Sequence, residues 1–363
     1  MFFTKFFKDE QNILKIIRYQ PMVLMLVIVL IMIQVSIQQV NEDFSNEINK
    51  VRQDYLDQNK KRVKEEVKRV LYEVEIEKNK SESYLKEKIK LQVDNAYQII
   101  QSIYNKNKNT KSKQEIIKDI KNALQNIRFN NGRGYIFIYD LDATSIFHPT
   151  KPQREGKNYF YDKDITGVYR NQIAINIVKE KGEGFFHWFF HKPNDATTEY
   201  KKIGFVKGFK EYNWFIGTGE YVLDYENEMK RRILDGINNI KFGDNGYIFV
   251  LDKQGEVLSH PLKTLRNKNT YDKKNSRGEY FIQDIISFSN EKKEGFLTHY
   301  SSIVPNILNN KDSYKISYIE YYDSWEWIVG SGFYQDILEV NIAEKKELLE
   351  SIKKSSIKKI IEV

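Results

Sequence analysis

Two stretches of this chain carry nearly the same text. Residues 134–149 read GYIFIYDLDATSIFHP and residues 246–261 read GYIFVLDKQGEVLSHP. An offset of 112 relates Gly134 to Gly246 and His148 to His260. An offset of 113 relates Trp214, Gly217, Gly219 and Tyr221 to Trp327, Gly330, Gly332 and Tyr334. The approach segments Ile127-Arg128-Phe129 and Ile240-Lys241-Phe242 match, as do Glu183-Gly184-Phe185 with Glu294-Gly295-Phe296, and Lys202-Ile203 with Lys315-Ile316. A nearly constant offset over a domain's length means two modules of one fold in tandem. Two copies are too few for a solenoid or propeller, which bury a core only by stacking several units.

Within the first copy, GYIFIYD, TSIFHP, EGFFHWFFHKP, YKKIGFVKGF and NWFIGTGEY are short aromatic and β-branched runs parted by Gly, Asp, Asn and Pro. They read as five strands. Residues 172–181 between the second and third runs read as a helix, and residues 225–239 as a helix linking the copies. From 41 to 101 there is no proline or glycine, and Val63, Val67, Val70, Val74, Leu85, Ile89, Val93, Ala96 and Ile100 recur at helical spacing. This predicts one long helix, continuous or interrupted near Lys78 to Ser83. A second helix is expected over 114–128, with Ser112 and Glu115 as its capping box. The fold class is α+β.

No charged side chain occurs from Tyr19 to Val40, a length that spans a bilayer, which needs about 20 residues. Lys5, Lys8, Lys15 and Arg18 precede the run, while Glu42, Asp43 and Glu47 follow it. Positive charge stays inside, so 1–18 is expected to be a cytoplasmic N-terminus, 19–40 a single transmembrane helix in the inner membrane, and the rest extracytoplasmic. The apolar run exceeds the roughly 7 to 15 residues of a signal-peptide core and no A-x-A site follows, so the chain is expected to stay anchored. There is no cysteine, which excludes disulfides, zinc–thiolate sites and thiol nucleophiles. The net charge of +8 is spread over mixed Lys/Glu helices without a sustained basic run, the pattern of a solvated surface and not of a nucleic-acid partner.

The order IRF…GYIFIYDLDATSIFHP…GKNYFYDKDITG…GFFHWFFHKP…YKKIGFVKGFKEYNWFIGTGEYV resembles the Cache modules of bacterial extracytoplasmic sensors, in the subclass marked by a His-Pro pair after the second strand. With both copies present the chain resembles a double Cache sensor. The resemblance implies two tandem PAS-like modules, each a mainly antiparallel five-stranded sheet flanked by helices and packed on the long N-terminal helix. Small molecules would bind between each sheet and the loops crossing it. Members of this subclass bind short organic acids such as acetate, propionate, pyruvate or lactate. Residues 41–128 are then the long periplasmic helix and the second helix, 129–224 the membrane-distal module, 225–336 the membrane-proximal module, and 337–363 a helix leading toward a second membrane span.

A small anion needs a fixed cation or polarised donors behind walls that exclude water. In the first copy, His148 ends the second strand, Lys202 lies on the strand face of Gly204 and Val206, and Trp188 and Phe190 share a face with Phe186. Tyr161, in the loop, is placed to close the top with its hydroxyl. His148 either meets the ligand or holds the loop by hydrogen-bonding backbone. Asp162 and Asp164 read as loop-shaping residues. The second copy offers His260, Tyr271, His299 and Lys315; His299 stands where the first copy has tryptophan and Ser301 where it has Phe190, so its wall is expected to be more polar. Either the two modules differ in ligand or only one binds, and the first, membrane-distal copy is the expected binder of a short organic acid.

Enzymatic motifs are lacking. His187 and His191 fall in a strand-like run, where their spacing places them about 13 Å apart. GTGEY and GSGFY lack the lysine and strand–turn–helix frame of a phosphate loop, so their glycines read as packing positions. No catalytic residue, metal or cofactor is assigned. The expected function is the ligand-sensing region of a histidine kinase or chemoreceptor that binds a small molecule, with homodimerisation along the long helix. The alternative is a structural or accessory module of a receptor complex that binds no ligand.

Overall fold

The computed structural model describes residues 10–195, 197–243, 246–301 and 313–362. Of the expected cytoplasmic segment 1–18, residues 1–9 lie outside the described residues. Helix α1 (Glu10–Asn107) runs for 98 residues without interruption, through both the apolar run and the region of Lys78 to Ser83. Ser81 and Ser83 turn their hydroxyls back onto the helix carbonyls of Lys78 (2.6 Å) and Lys80 (2.9 Å) instead of offering the chain another path. The N-terminal part of α1 is apolar and long enough to cross a membrane, and the rest of the chain buries none of it.

The chain forms two compact units, residues 72–236 and residues 1–71 with 237–363. Each copy of the repeat thus takes its own length of α1.

In the first unit, α2 (Lys113–Leu124) begins at the Ser112 capping box. Ser112 Oγ accepts from Glu115 N, and Glu115 Oε2 accepts from Ser112 N at 2.8 Å. Strands β1 (Phe137–Asp140), β2 (Ser145–Phe147), β3 (Glu183–His191), β4 (Glu199–Phe209) and β5 (Trp214–Tyr221) form one antiparallel sheet in the order β2-β1-β5-β4-β3. Alternation sorts its side chains. Ile136, Ile138, Ile203, Phe205, Phe209 and Ile216 pack against Leu85, Ile89, Val93, Ala96 and Ile100 of α1 and Ile116, Ile120 and Leu124 of α2. Tyr135, Phe137, Tyr139, Trp188, Phe190, Val206 and Phe215 point to the other face, toward the β2–β3 crossing and α3 (Arg170–Lys181). Helix α4 (Val222–Ile237) leaves the last strand.

The second unit repeats the plan with β7 (Gly246–Leu251), β8 (Val257–Ser259), α5 (Phe281–Lys292), β9 (Glu294–Ser301), β10 (Ser313–Tyr322) and β11 (Trp327–Tyr334). It has one strand more than expected. β6 (Lys241–Phe242) pairs with β7, whereas the first copy has a single bridge, Phe129 to Gly134, at the corresponding place. The sheet order is β6-β7-β11-β10-β9, with β8 on β7. Its face toward α1 is tied by Lys68, which pairs with Glu294 (2.7 Å) and Glu320 (3.3 Å). Helix α6 (Gln335–Ile361) runs back along the same part of α1 through Ile342 on Val51 and Glu339 on Arg52 (3.0 Å).

Candidate functional site

Each sheet turns one face to a cavity. In the first unit, β1 and its lead-in contribute Tyr135, Phe137 and Tyr139; β3 contributes Phe186, Trp188 and Phe190; α3 contributes Arg170, Asn171 and Ala174. His148 and Phe215 complete the lining. The space, counting its mouth, is about 380 Å³. Phe186, Trp188 and Phe190 share this face because β3 is extended and side chains alternate with period two. The same alternation takes His187 off this face, while His191, at the strand's end, has Nδ1 3.6 Å from Glu199 at the rim; no cluster of three or more potential metal ligands occurs among the described residues.

His148 is buried against Tyr135, Phe137 and Phe190, with ring centroids at 5.1, 6.4 and 5.8 Å. Burial, reinforced by Arg154, Lys202 and Lys151, holds its pKa well below the ordinary value, so the ring is neutral at neutral pH. Its Nδ1 lies 3.4 Å from the Thr150 hydroxyl, while its backbone N–H donates to Glu155 (3.0 Å). The ring of His148 thus lines the cavity, and its tie to the loop runs through its own backbone N–H and a side chain, not through a ring bond to backbone.

Lys202 is 1% exposed. Its Nζ faces the rings of Tyr221 (4.3 Å), Tyr135 (4.8 Å) and Trp188 (5.6 Å), the last two lining the cavity, and makes no hydrogen bond among the described residues. Burial pushes its pKa down to about 7, partly opposed by Glu220. That carboxylate is itself engaged by Arg133 (3.2 Å) and by the N–H of Tyr221 (2.8 Å).

The loop and the start of α3 add cations that the sequence reading did not single out. Arg170 is buried; it donates through Nη2 to Asp162, and its guanidinium lies over Phe190 at 5.0 Å. Its Nη1 is 3.6 Å from Glu199 and has no hydrogen-bond partner. Arg154 donates to the Tyr139 hydroxyl (3.2 Å) and to Asp162 (2.9 Å), and Lys151 stands over Phe190 at 5.0 Å. Asp162 thus clamps two arginines at the rim. Asp164 shapes the loop as expected: one oxygen accepts from Thr166 N (2.9 Å) and Val168 N (3.1 Å), the other from Phe189 N (3.0 Å). A signal for Arg170 existed, since it is the last cation before an apolar-faced helix. Nothing local shows that this helix returns beneath Phe190.

Tyr161 does not join this group. It is 78% exposed and packs on Phe160 and Tyr169. A turn closed by Asp162 N onto Tyr159 O rotates it outward, and Tyr159, under the Arg154 guanidinium at 3.5 Å, is the loop tyrosine on the cavity side.

In the second unit the cavity, about 400 Å³ with its mouth, is lined by His260, His299, Ser301 and Lys315 together with Tyr247, Phe249, Leu251, Val257, Leu265, Phe281, Ile282 and Ile285. Tyr271, 39% exposed, lies outside the lining. Its carbonyl accepts from Gln283 as that of Phe160 accepts from Gln172, so it is the counterpart of Phe160 and not of Tyr161. The expectation of a more polar wall is also corrected. His299 and Ser301 are polar, but Phe281, Ile282, Ile285 and Leu251 stand where the first unit has Arg170, Asn171, Ala174 and Tyr139.

The glycines of the last strand are packing positions. A Cβ on Gly217 would meet the Phe137 ring at 2.5 Å, and one on Gly219 the Trp188 indole at 2.7 Å.

The double Cache model (dCache_2, Cache domain) matches residues 40–339. The chain belongs to this family of receptor sensor domains. Similar curated proteins are the sensor histidine kinase MctS of Rhizobium johnstonii and the methyl-accepting chemotaxis protein McpP of Pseudomonas putida. MctS is 29% identical over 93 residues (25% of this chain, 19% of MctS), and McpP is 29% identical over 103 residues (28% of this chain, 18% of McpP). The match therefore spans about a fifth of either relative. Among solved structures, a periplasmic sensor domain of a chemotaxis protein is 26% identical, with a TM-score of 0.37 over 39% of this chain and 96% of that one. A Cache chemosensory domain described for carboxylic acid recognition is 26% identical, with a TM-score of 0.35 over 38% and 92%.

Proposed function

We propose that this chain is the extracytoplasmic sensing region of a transmembrane receptor of the kinase or chemoreceptor type, anchored by residues 19–40, and that its first module, residues 129–224, binds a short carboxylate. One observation carries the reading. Arg170 Nη1 is buried without a hydrogen-bond partner in the wall of an aromatic cavity behind which the equally buried Lys202 ammonium stands. A buried donor left unpaired costs free energy even though the Arg170 charge is already faced by Asp162 and Glu199. A carboxylate supplies two acceptor oxygens and one negative charge, and the rings of Trp188, Phe190 and Phe137 shield the pair from water. His148, neutral and in contact with Phe190, completes the wall.

Signalling then requires that the ligand bind one arrangement of the protein better than another. Pairing of two copies along α1 belongs to the same reading and is supported by Tyr84 and Leu91, exposed side chains one heptad apart on that helix. Calorimetry on the full chain in lipid nanodiscs, with acetate, propionate, lactate and pyruvate as probes, tests the site. Binding of at least one acid that Lys202→Met removes without changing the circular dichroism spectrum supports it. No heat from any of the four, or binding indifferent to that substitution, overturns it.

A further inference from the structure

We propose that the cavity of the second module is a separate binding site, selective for a monocarboxylate with an aliphatic tail, whose head meets Lys315 and His299 and whose tail lies on Leu251, Val257, Ile282 and Ile285. The two cavities share a scaffold but not a chemistry. Gln172 and Gln283 bond the same loop carbonyl in each copy, which fixes the alignment of α3 on α5 and sets Phe281 and Ile282 in place of Arg170 and Asn171. Leu265, which lines the cavity, stands at the position of Arg154, and the arginine that follows it, Arg266, is turned away: its Nε donates to the His260 carbonyl at 2.6 Å and its Nη2 faces the Pro261 carbonyl. Among the described residues, Lys315 is the one cation left in the lining.

Lys315 is 3% exposed and donates to the Tyr247 hydroxyl at 2.7 Å. An ammonium has three N–H donors, and no carboxylate of the described residues is paired with it. Beside it, His299 is 8% exposed and bonds the Ser317 hydroxyl through Nε2 at 3.0 Å, while its Nδ1 is buried without a hydrogen-bond partner. In the tautomer in which the serine donates to Nε2, Nδ1 carries the proton and supplies a second donor at the same polar end. The opposite walls are hydrocarbon.

One ammonium balances one carboxylate. A second carboxylate on the ligand would be stripped of water against leucine, valine and isoleucine with no second cation in return. The first cavity, with Arg170, Asn171 and Tyr139 in its wall, imposes no such restriction. The two sites therefore sort acids by the polarity of the tail.

The test uses the full chain in neutral-lipid nanodiscs, with Lys202→Met to silence the first cavity, and isovalerate, hexanoate and succinate as probes. One-site binding of isovalerate or hexanoate is expected, with no heat from succinate. Adding Lys315→Met is expected to weaken binding at least about tenfold, the loss of one charge-assisted hydrogen bond. Ile285→Phe, which fills the cavity and leaves the lysine in place, is expected to abolish binding with an unchanged circular dichroism spectrum. Absence of binding by both aliphatic acids, binding indifferent to Lys315→Met and Ile285→Phe, or succinate binding as tightly as hexanoate overturns the proposal.

Discussion

Gly204 of β4 and Trp188 of β3 occupy one space: a Cβ on Gly204 would lie 2.4 Å from Cη2 of the indole and 2.4 Å from the Thr218 carbonyl oxygen. The second copy makes the reciprocal choice. Ser317 stands in place of the glycine, His299 in place of the tryptophan, and the two bond at 3.0 Å. A large ring with no neighbouring side chain, or a smaller ring with a hydroxyl, fills the same volume.

Gly204→Ser is therefore expected to destabilise the first unit by about 1–3 kcal/mol, the range for overpacking. Trp188→His in the same chain is expected to recover part of that loss, because the pair then has the composition of the second copy. Urea unfolding of the two single variants and the double variant measures the coupling; strictly additive losses would contradict the shared-space account.

Lys202→Met removes a buried ammonium that makes no hydrogen bond among the described residues, so the free protein is expected to keep or gain stability. Carboxylate binding in the first cavity is expected to fall by about 1.5–3 kcal/mol, the usual contribution of a hydrogen bond to a charged group. Thermal unfolding with and without ligand separates the two effects.

Stability is expected to rise with pH. Lys202 and Lys315 have pKa values of about 7 in the fold against an ordinary 10.5, so between those values the unfolded chain binds more protons, and raising the pH favours the folded state. His260 and His299, held down to about 3 by burial and by Lys315, work in the same direction below their ordinary 6.5. Carboxylate affinity should run the other way above about pH 7, falling up to about tenfold per unit as the Lys202 ammonium loses its proton. Melting temperature and calorimetric affinity across the range check both signs.

Asp164 anchors the β2–β3 crossing. Burial alone would raise its pKa, but hydrogen bonds from Thr166, Phe189 and Val168 outweigh it and hold the carboxyl below the usual range. Its counterpart, Asn275, accepts from the N–H groups of Arg277 and Glu279 (both 3.0 Å) and donates to Tyr300 O at 2.9 Å. Asp164→Ala is expected to cost about 1–3 kcal/mol through the unsatisfied loop N–H groups. Asp164→Asn is expected to cost less, since an amide keeps one acceptor oxygen for the loop. Equal losses in denaturant unfolding would show that charge, and not hydrogen-bond geometry, holds the loop.

Much of the fold was legible because its signals are local or repeated. The five strands of the first copy, α2 with its capping box, and the helices flanking each sheet follow from periodicity and end signals, and the shared offset establishes the duplication without any knowledge of the packing. His148, Trp188, Phe190 and Lys202 were legible as one set because strand alternation decides which face they share. Tyr161 and Tyr271 were misplaced because a turn, not a strand, carries them, and a shift of one residue in the loop alignment exchanges inward for outward. Arg170, Arg154 and Lys151 were passed over because each meets Phe190 through the path of the crossing segment, which no local pattern encodes.

By itself, the amino-acid sequence determined that this protein has an apolar N-terminal run, a long helix and two sheets of one design, since each rests on patterns read over neighbouring residues. Only the tertiary structure decided that the first cavity has an arginine and an asparagine in its wall where the second has phenylalanine and isoleucine. That contrast depends on which residues the first turns of α3 and α5 bring over the sheets, a matter of long-range packing that sets Arg170 and Phe281 at equivalent places.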